Sequence, residues 1–153
     1  MGLNLLSGDR VVELLENLTY EKTQIQKFGV DLTVKEIYVL ESPGSLDFGG
    51  SELEFGDKCR YKLEKRDPGD KYGWWNLPPG HYILEYNEKI ILPNGMISIL
   101  QPRTEIMKNG SYHPTIVLTS DDSLPTVTLS VGQPGIKIKQ NARISRLMVF
   151  ERR

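Results

Sequence analysis

Cysteine occurs once in this chain, at Cys59, which excludes an intrachain disulfide framework and a multi-cysteine metal site. No partner motif accompanies it, so a structural thiol is expected, and the cytoplasm is the expected compartment. Histidine occurs twice, as His81 and His113, without the spacing of a zinc-ligand pair. Neither sign of charge is in excess: 19 Lys and Arg against 20 Asp and Glu give a net charge of −1. That balance offers no basic field, so no nucleic-acid partner is expected. No apolar run approaches bilayer length, so no membrane partner is expected either. Residues 1–6 are too short and too uncharged for a signal peptide. Internal repeats and low-complexity tracts are also lacking.

What is abundant is punctuation. Nine prolines and fourteen glycines divide 153 residues, a length that fits one domain, 1–153. Pro78-Pro79-Gly80, Pro93-Asn94-Gly95 and Gln133-Pro134-Gly135 are turn signals. Between and around them lie HYILEY, KIILP, MISILQ, TIVLTS, TVTLSV, GIKIKQ and RISRLMVFE, short apolar runs of strand length. Upstream, Val30, Leu32 and Val34 alternate with Asp31, Thr33 and Lys35, the pattern of a half-buried strand. Ile37 and Val39 fall in the opposite phase, which predicts a bulge near Lys35-Glu36. Residues 41–80 read as long loops with short strands. Within them, one of Trp74 and Trp75 is expected to cover the core edge and the other to be partly exposed, with base stacking as the alternative. At the N-terminus, Val11, Leu14, Leu15 and Leu18 recur at helical spacing behind a Ser7 cap and Asp9, which predicts one amphipathic helix packed on a sheet. The expected class is therefore mainly all-β, a distorted jelly-roll-like barrel with a short N-terminal helix.

The richest stretch for chemistry is Gln101–Asp121, QPRTEIMKNGSYHPTIVLTSD. A polar turn, Pro102-Arg103-Thr104-Glu105, opens a short helical segment that ends at Asn109-Gly110. An apolar strand then delivers Asp121, eleven residues after Gly110. Arg103 and Thr104 offer a cation and a hydroxyl to a phosphate, and a carboxylate at a strand end can hold a sugar or activate water. The same residues also describe a surface turn followed by an ordinary hairpin. Asp121 and Asp122 together suit a magnesium ion, or are simply solvated acids at a turn.

Several segments, in order, resemble the dCTP deaminase and trimeric dUTPase superfamily. LLSGDRVVELLEN resembles the N-terminal helix segment of the deaminases, and Gln24–Leu32, QIQKFGVDL, resembles the family's QPAS(V/I)DL strand. HYILEYNEKIILPNGMISIL resembles the stretch before the phosphate motif. Pro102–Gly110 stands where the family has GRSSLxRxG, and Asp121 where it has the Asp of IDPG(Y/W). Asn141–Phe150 resembles the closing xxRIxQLxF strand. The resemblance spans residues 3–151.

It implies a homotrimer with active sites between subunits and a magnesium-bound deoxynucleoside triphosphate, dUTP or dCTP. Carried over by position, Arg103 and Thr104 bind phosphate, with Lys108 in place of a second arginine. Lys108 keeps the charge and loses the bidentate fork. Asp121 contacts deoxyribose or activates water. His113 lies where the base-reading hairpin begins, as a base contact or as an ordinary hairpin residue. Asp31 matches an aspartate that the dUTPase branch uses near the metal, and Asp122 is the second candidate metal ligand.

Departures from the pattern bear on the activity. Pro102 replaces a glycine, Glu105 a serine, and Arg146 the glutamine of the closing strand. Glu105 beside a triphosphate is repulsive unless a cation offsets it. The position of the deaminases' catalytic glutamate falls on Ser130 or Val131, and neither shuttles protons as a carboxylate does. No Gly-rich C-terminal arm, like the one that closes over substrate in many dUTPases, is expected from the residues that end at Arg153. The favoured expectation is a dUTP diphosphatase. The alternatives are a catalytically degenerate nucleotide-binding trimer and a dCTP deaminase.

Overall fold

A computed structural model describes residues 2–153. The N-terminal third holds a strand β1 (Leu3–Leu5), a helix α1 (Gly8–Val11), strand β2 (Leu15–Glu16), helix α2 (Glu21–Gln24), strand β3 (Ile25–Gln26) and the long β4 (Gly29–Leu40). Then follow β5 (Lys58–Arg60), β6 (Trp74–Leu77), β7 (Gly80–Tyr86), β8 (Lys89–Ile90) and β9 (Met96–Pro102). The last third comprises helix α3 (Thr104–Lys108), β10 (Ser111–Tyr112), β11 (Ile116–Leu118), β12 (Val127–Val131), β13 (Ile136–Lys139) and β14 (Arg143–Arg152). Each apolar run between the turn signals became a strand. Gly80, Gly95 and Gly135 all adopt positive φ, the conformation glycine reaches without a Cβ penalty.

The main sheet has the order β10-β12-β7-β4-β14-β9-β11, all antiparallel. β4 is its pivot. Its first half pairs with β14 and its second half with β7, and the register shifts between Val34 and Glu36. The shift falls at the predicted bulge and lets one strand serve two partners, which curls the sheet into a half-barrel. Val30, Leu32, Val34, Leu84, Leu100, Leu129, Leu147 and Val149 fill the interior. Burying each large aliphatic side chain contributes roughly 1.5–3 kcal/mol. Trp75 is fully buried, while Trp74 is half-buried under the Arg66 guanidinium, 3.6 Å from the ring centre.

Two expectations need correction. The N-terminal amphipathic helix is only the four residues of α1 and a 3₁₀ turn over Val12–Leu14. Leu15 instead pairs with Ile90 of β8, and Asn17 takes φ 65°, so strand pairing ends a segment too short to sustain a helix alone. Ser7 stands at the N-cap, but its side chain caps nothing; its carbonyl accepts the N–H groups of Arg10 and Val11 at 3.0 Å. Secondly, the start of β4 is not half-buried. Gly29 to Val34 are all buried, Asp31 and Thr33 included.

Candidate phosphate site

Asp31 is the centre of a cation cluster. Its side chain is fully buried, and three guanidinium groups converge on it. Arg146 donates Nε to Oδ1 at 2.9 Å, and Arg143 donates Nη1 to Oδ2 at 3.1 Å. Arg103 Nε lies 3.3 Å from Oδ2, close enough for an ion pair but off-line, so this buried N–H lacks a hydrogen-bond partner. Gln26 adds an amide at 3.2 Å. Strand pairing explains the convergence. Arg146 sits directly opposite Asp31 in the β4–β14 ladder. Arg143 and Arg146, three residues apart, would point to opposite faces of a regular strand. The register shift between Arg143 and Ser145 turns both to the same side.

Three guanidinium groups against the Asp31 and Glu105 carboxylates leave this corner with a net positive charge. Arg103 is the N-cap residue of α3, its backbone N–H held by the Ile144 carbonyl at 2.9 Å. Its Nη1 donates to the Arg143 carbonyl at 3.2 Å, and its Nη2 is paired with Glu105. Thr104 also donates its hydroxyl to Glu105, at 2.8 Å. These bonds, the Thr104 hydroxyl first, hold the Glu105 carboxyl below the usual carboxylate range. The residues 101–105 and Arg146 enclose a cavity of about 290 Å³. Lys108 follows Thr104 by one helical turn and is exposed. Arg103, Thr104 and Lys108, all expected at the phosphate, therefore share one short segment, and Arg146 joins them across the cavity.

No family model matches the chain. Individual relatives do. The probable deoxyuridine 5'-triphosphate nucleotidohydrolase of Methanosarcina mazei is 33% identical over 139 residues, covering 90% of this chain and 78% of that protein. The protein so named in Archaeoglobus fulgidus is 32% identical over 152 residues, covering 94% and 86%. This chain belongs to that nucleotidohydrolase family. Its fold is also that of a 2'-deoxycytidine 5'-triphosphate deaminase from Agrobacterium tumefaciens, with a TM-score of 0.69 at 13% identity over 98% of this chain. The chain spans about half of that deaminase, 47% of its length.

In this nucleotidohydrolase-family chain the other expected site residues lie elsewhere. Asp121 and Asp122 occupy the turn after β11, where Ser120 donates to the Asn94 side chain at 2.7 Å. Asn94 precedes β9, and Arg103 follows it. The two candidate groups thus stand at opposite ends of a seven-residue strand, roughly 20 Å apart at the usual rise.

Asp31 and Asp122, the expected metal pair, are engaged by other partners. Asp122 Oδ2 is engaged by the Thr119 N–H at 2.8 Å and its hydroxyl at 3.1 Å, closing its own turn. Asp31 has both oxygens on guanidinium groups, whose charge repels a dication. Among the described residues no three His, Cys, Asp or Glu side chains cluster as a metal site. This donor set does not fit a protein-held magnesium ion.

His113, expected as a base contact or as an ordinary hairpin residue, lies in the core. The ring is buried, with Nδ1 2.9 Å from the Pro114 carbonyl and Nε2 2.7 Å from Ser145 Oγ. The carbonyl only accepts, so Nδ1 carries the proton. Ser145 then donates to Nε2, and Tyr86 donates to Ser145 at 2.5 Å. Burial pushes the imidazole pKa down, partly offset by the Pro114 carbonyl, so the ring is held neutral in a core relay.

Arg143 is the member of the cluster that sequence reading missed, and Arg146 appeared there only as a departure from a motif. A second pair was also missed: the Ser130 hydroxyl and His81 Nδ1 lie 3.0 Å apart across β12 and β7.

Proposed function

We propose that this protein hydrolyses dUTP to dUMP and pyrophosphate. The observation that carries the reading is the cation cluster on Asp31 beside Thr104, in a chain of the deoxyuridine triphosphate nucleotidohydrolase family. Arg103, Arg146 and Lys108 would neutralise a triphosphate, and the Thr104 hydroxyl would donate to one of its oxygens. A water then attacks the α-phosphorus, and the bond to the oxygen bridging α and β breaks. Pyrophosphate leaves, and the water's proton passes to Asp121. Magnesium enters this proposal only as an ion carried on the triphosphate's own oxygens, and no step here runs through a protein-held metal.

The separation of Arg103 from Asp121 supports a shared site, one copy supplying the phosphate corner and a neighbour the carboxylate. We therefore include a homotrimer in the proposal, in the cytoplasm. Among the described residues no helix is long and apolar enough to cross a membrane. Deamination of dCTP is the weaker reading, because Ser130 brings a hydroxyl bonded to His81 where a carboxylate is needed.

The test is to incubate the protein and magnesium with dUTP and, separately, with dCTP. Pyrophosphate from dUTP and no ammonia from dCTP is the expected result. Ammonia from dCTP, or no product from either, overturns the proposal.

A further inference from the structure

All three sides of the Arg103 guanidinium are occupied, but the occupants differ in how firmly they are held. Asp31 is fully buried and locked between Arg143 and Arg146. The Arg143 carbonyl belongs to the β14 backbone. Glu105 alone is a free-ended side chain, 60% exposed. Its two oxygens take one donor each: Oε2 accepts from Arg103 Nη2 and Oε1 from the Thr104 hydroxyl. Those are the donors that the preceding reading assigns to a phosphate. The Glu105 carbonyl is meanwhile held by the Asn109 side-chain amide at 2.8 Å, so the carboxylate can swing away without moving α3.

We infer that Glu105 is an internal stand-in for a phosphate, and that nucleotide binding is an exchange in which the triphosphate displaces this carboxylate from Arg103 and Thr104. The inference rests on the dUTP reading for the identity of the incoming phosphate. The triphosphate brings several negative charges to Arg103, Arg146 and Lys108, against the single charge of the carboxylate it displaces. Every phosphate that enters must open the same Glu105 contacts, so the exchange lowers the affinity of each by a common factor. When the site is empty, the carboxylate keeps Arg103 oriented and the Thr104 hydroxyl satisfied.

The exchange is tested by calorimetric titration of three probes into the wild-type protein, Glu105→Gln and Glu105→Ser. The probes are inorganic tripolyphosphate, α,β-imido-dUTP and dUMP. Glu105 is exposed, so both variants are expected to fold, and unchanged melting temperatures check this. Loss of an exposed competing carboxylate should tighten all three probes by a similar factor, about two- to fivefold. The gain should shrink as salt rises. Unchanged or weakened binding in both variants overturns the exchange, and weakened binding would make Glu105 a positioning residue for Arg103. The two readings fail separately. Tighter tripolyphosphate binding without affinity for either nucleotide leaves the exchange standing and removes the dUTP reading. Nucleotide binding without tightening removes the exchange alone.

Discussion

Asp31 and Arg146 face each other across the β4–β14 ladder, and their side chains meet at 2.9 Å with the carboxylate wholly out of solvent. The contact joins the centre of the sheet to the wall of the cavity beside Arg103. Asp31→Asn removes the one charge that three arginines share in the interior, so destabilisation of about 3 kcal/mol is expected from the repulsion left behind. Urea unfolding checks this. A change within experimental error would show that the arginines reach solvent freely enough to dispense with Asp31.

Asp121 lies exposed in its turn, so Asp121→Asn should leave the melting temperature unchanged. Loss of the proposed proton acceptor should lower dUTP turnover by about 10²–10⁴-fold. Steady-state pyrophosphate release measures this. Turnover at the wild-type rate would move the base to another residue.

Magnesium should show no binding to the nucleotide-free protein, because Asp31 and Asp122 form no chelate. In the presence of α,β-imido-dUTP, magnesium should bind. Titration calorimetry with and without nucleotide decides the matter. Tight binding to the bare protein would require a site other than these two carboxylates.

His113 sets one branch of the pH dependence of stability. Its pKa is lowered in the folded state from an ordinary 6.5 by burial, so the unfolded chain binds the proton first as the pH falls. Stability supplied by the neutral ring should be present above pH 6.5 and lost progressively below it. Glu88, buried with Thr33 and Gln24 as its partners, has a raised pKa and acts with the opposite sign. It favours folding at low pH and loses that contribution as the pH rises above 4.5. Melting curves of the wild type and His113→Gln between pH 5 and 8 should therefore converge toward the acid end. Parallel curves would show that His113 does not titrate on unfolding.

What the sequence disclosed, and what it withheld, follows from the range of the interactions concerned. The strands from His81 to Glu151 were legible because alternation and Pro-Gly turns are local. So was the bulge in β4, as a change of phase between Val34 and Ile37. The grouping of Arg103, Thr104 and Lys108 was legible because they are neighbours in the chain. Asp31 was legible as important and illegible in role, since its three partners lie at least seventy residues downstream and meet it only through strand register. Arg143 depended on a bulge that no periodicity in RISRLMVFE betrays. The inward turn of His113 was not legible, because a turn-like Tyr-His-Pro sequence gives no sign that the ring is drawn to Ser145 and Tyr86.

The length of β9 has a genetic consequence under the proposed function. A polypeptide damaged at Arg103 and another damaged at Asp121 fail at opposite ends of the same strand, and each retains what the other has lost. Co-expressed, the two defective alleles would rescue one another in mixed assemblies, whereas either alone would stay silent. Damage at Asp31, which reaches the fold itself, would find no such rescue.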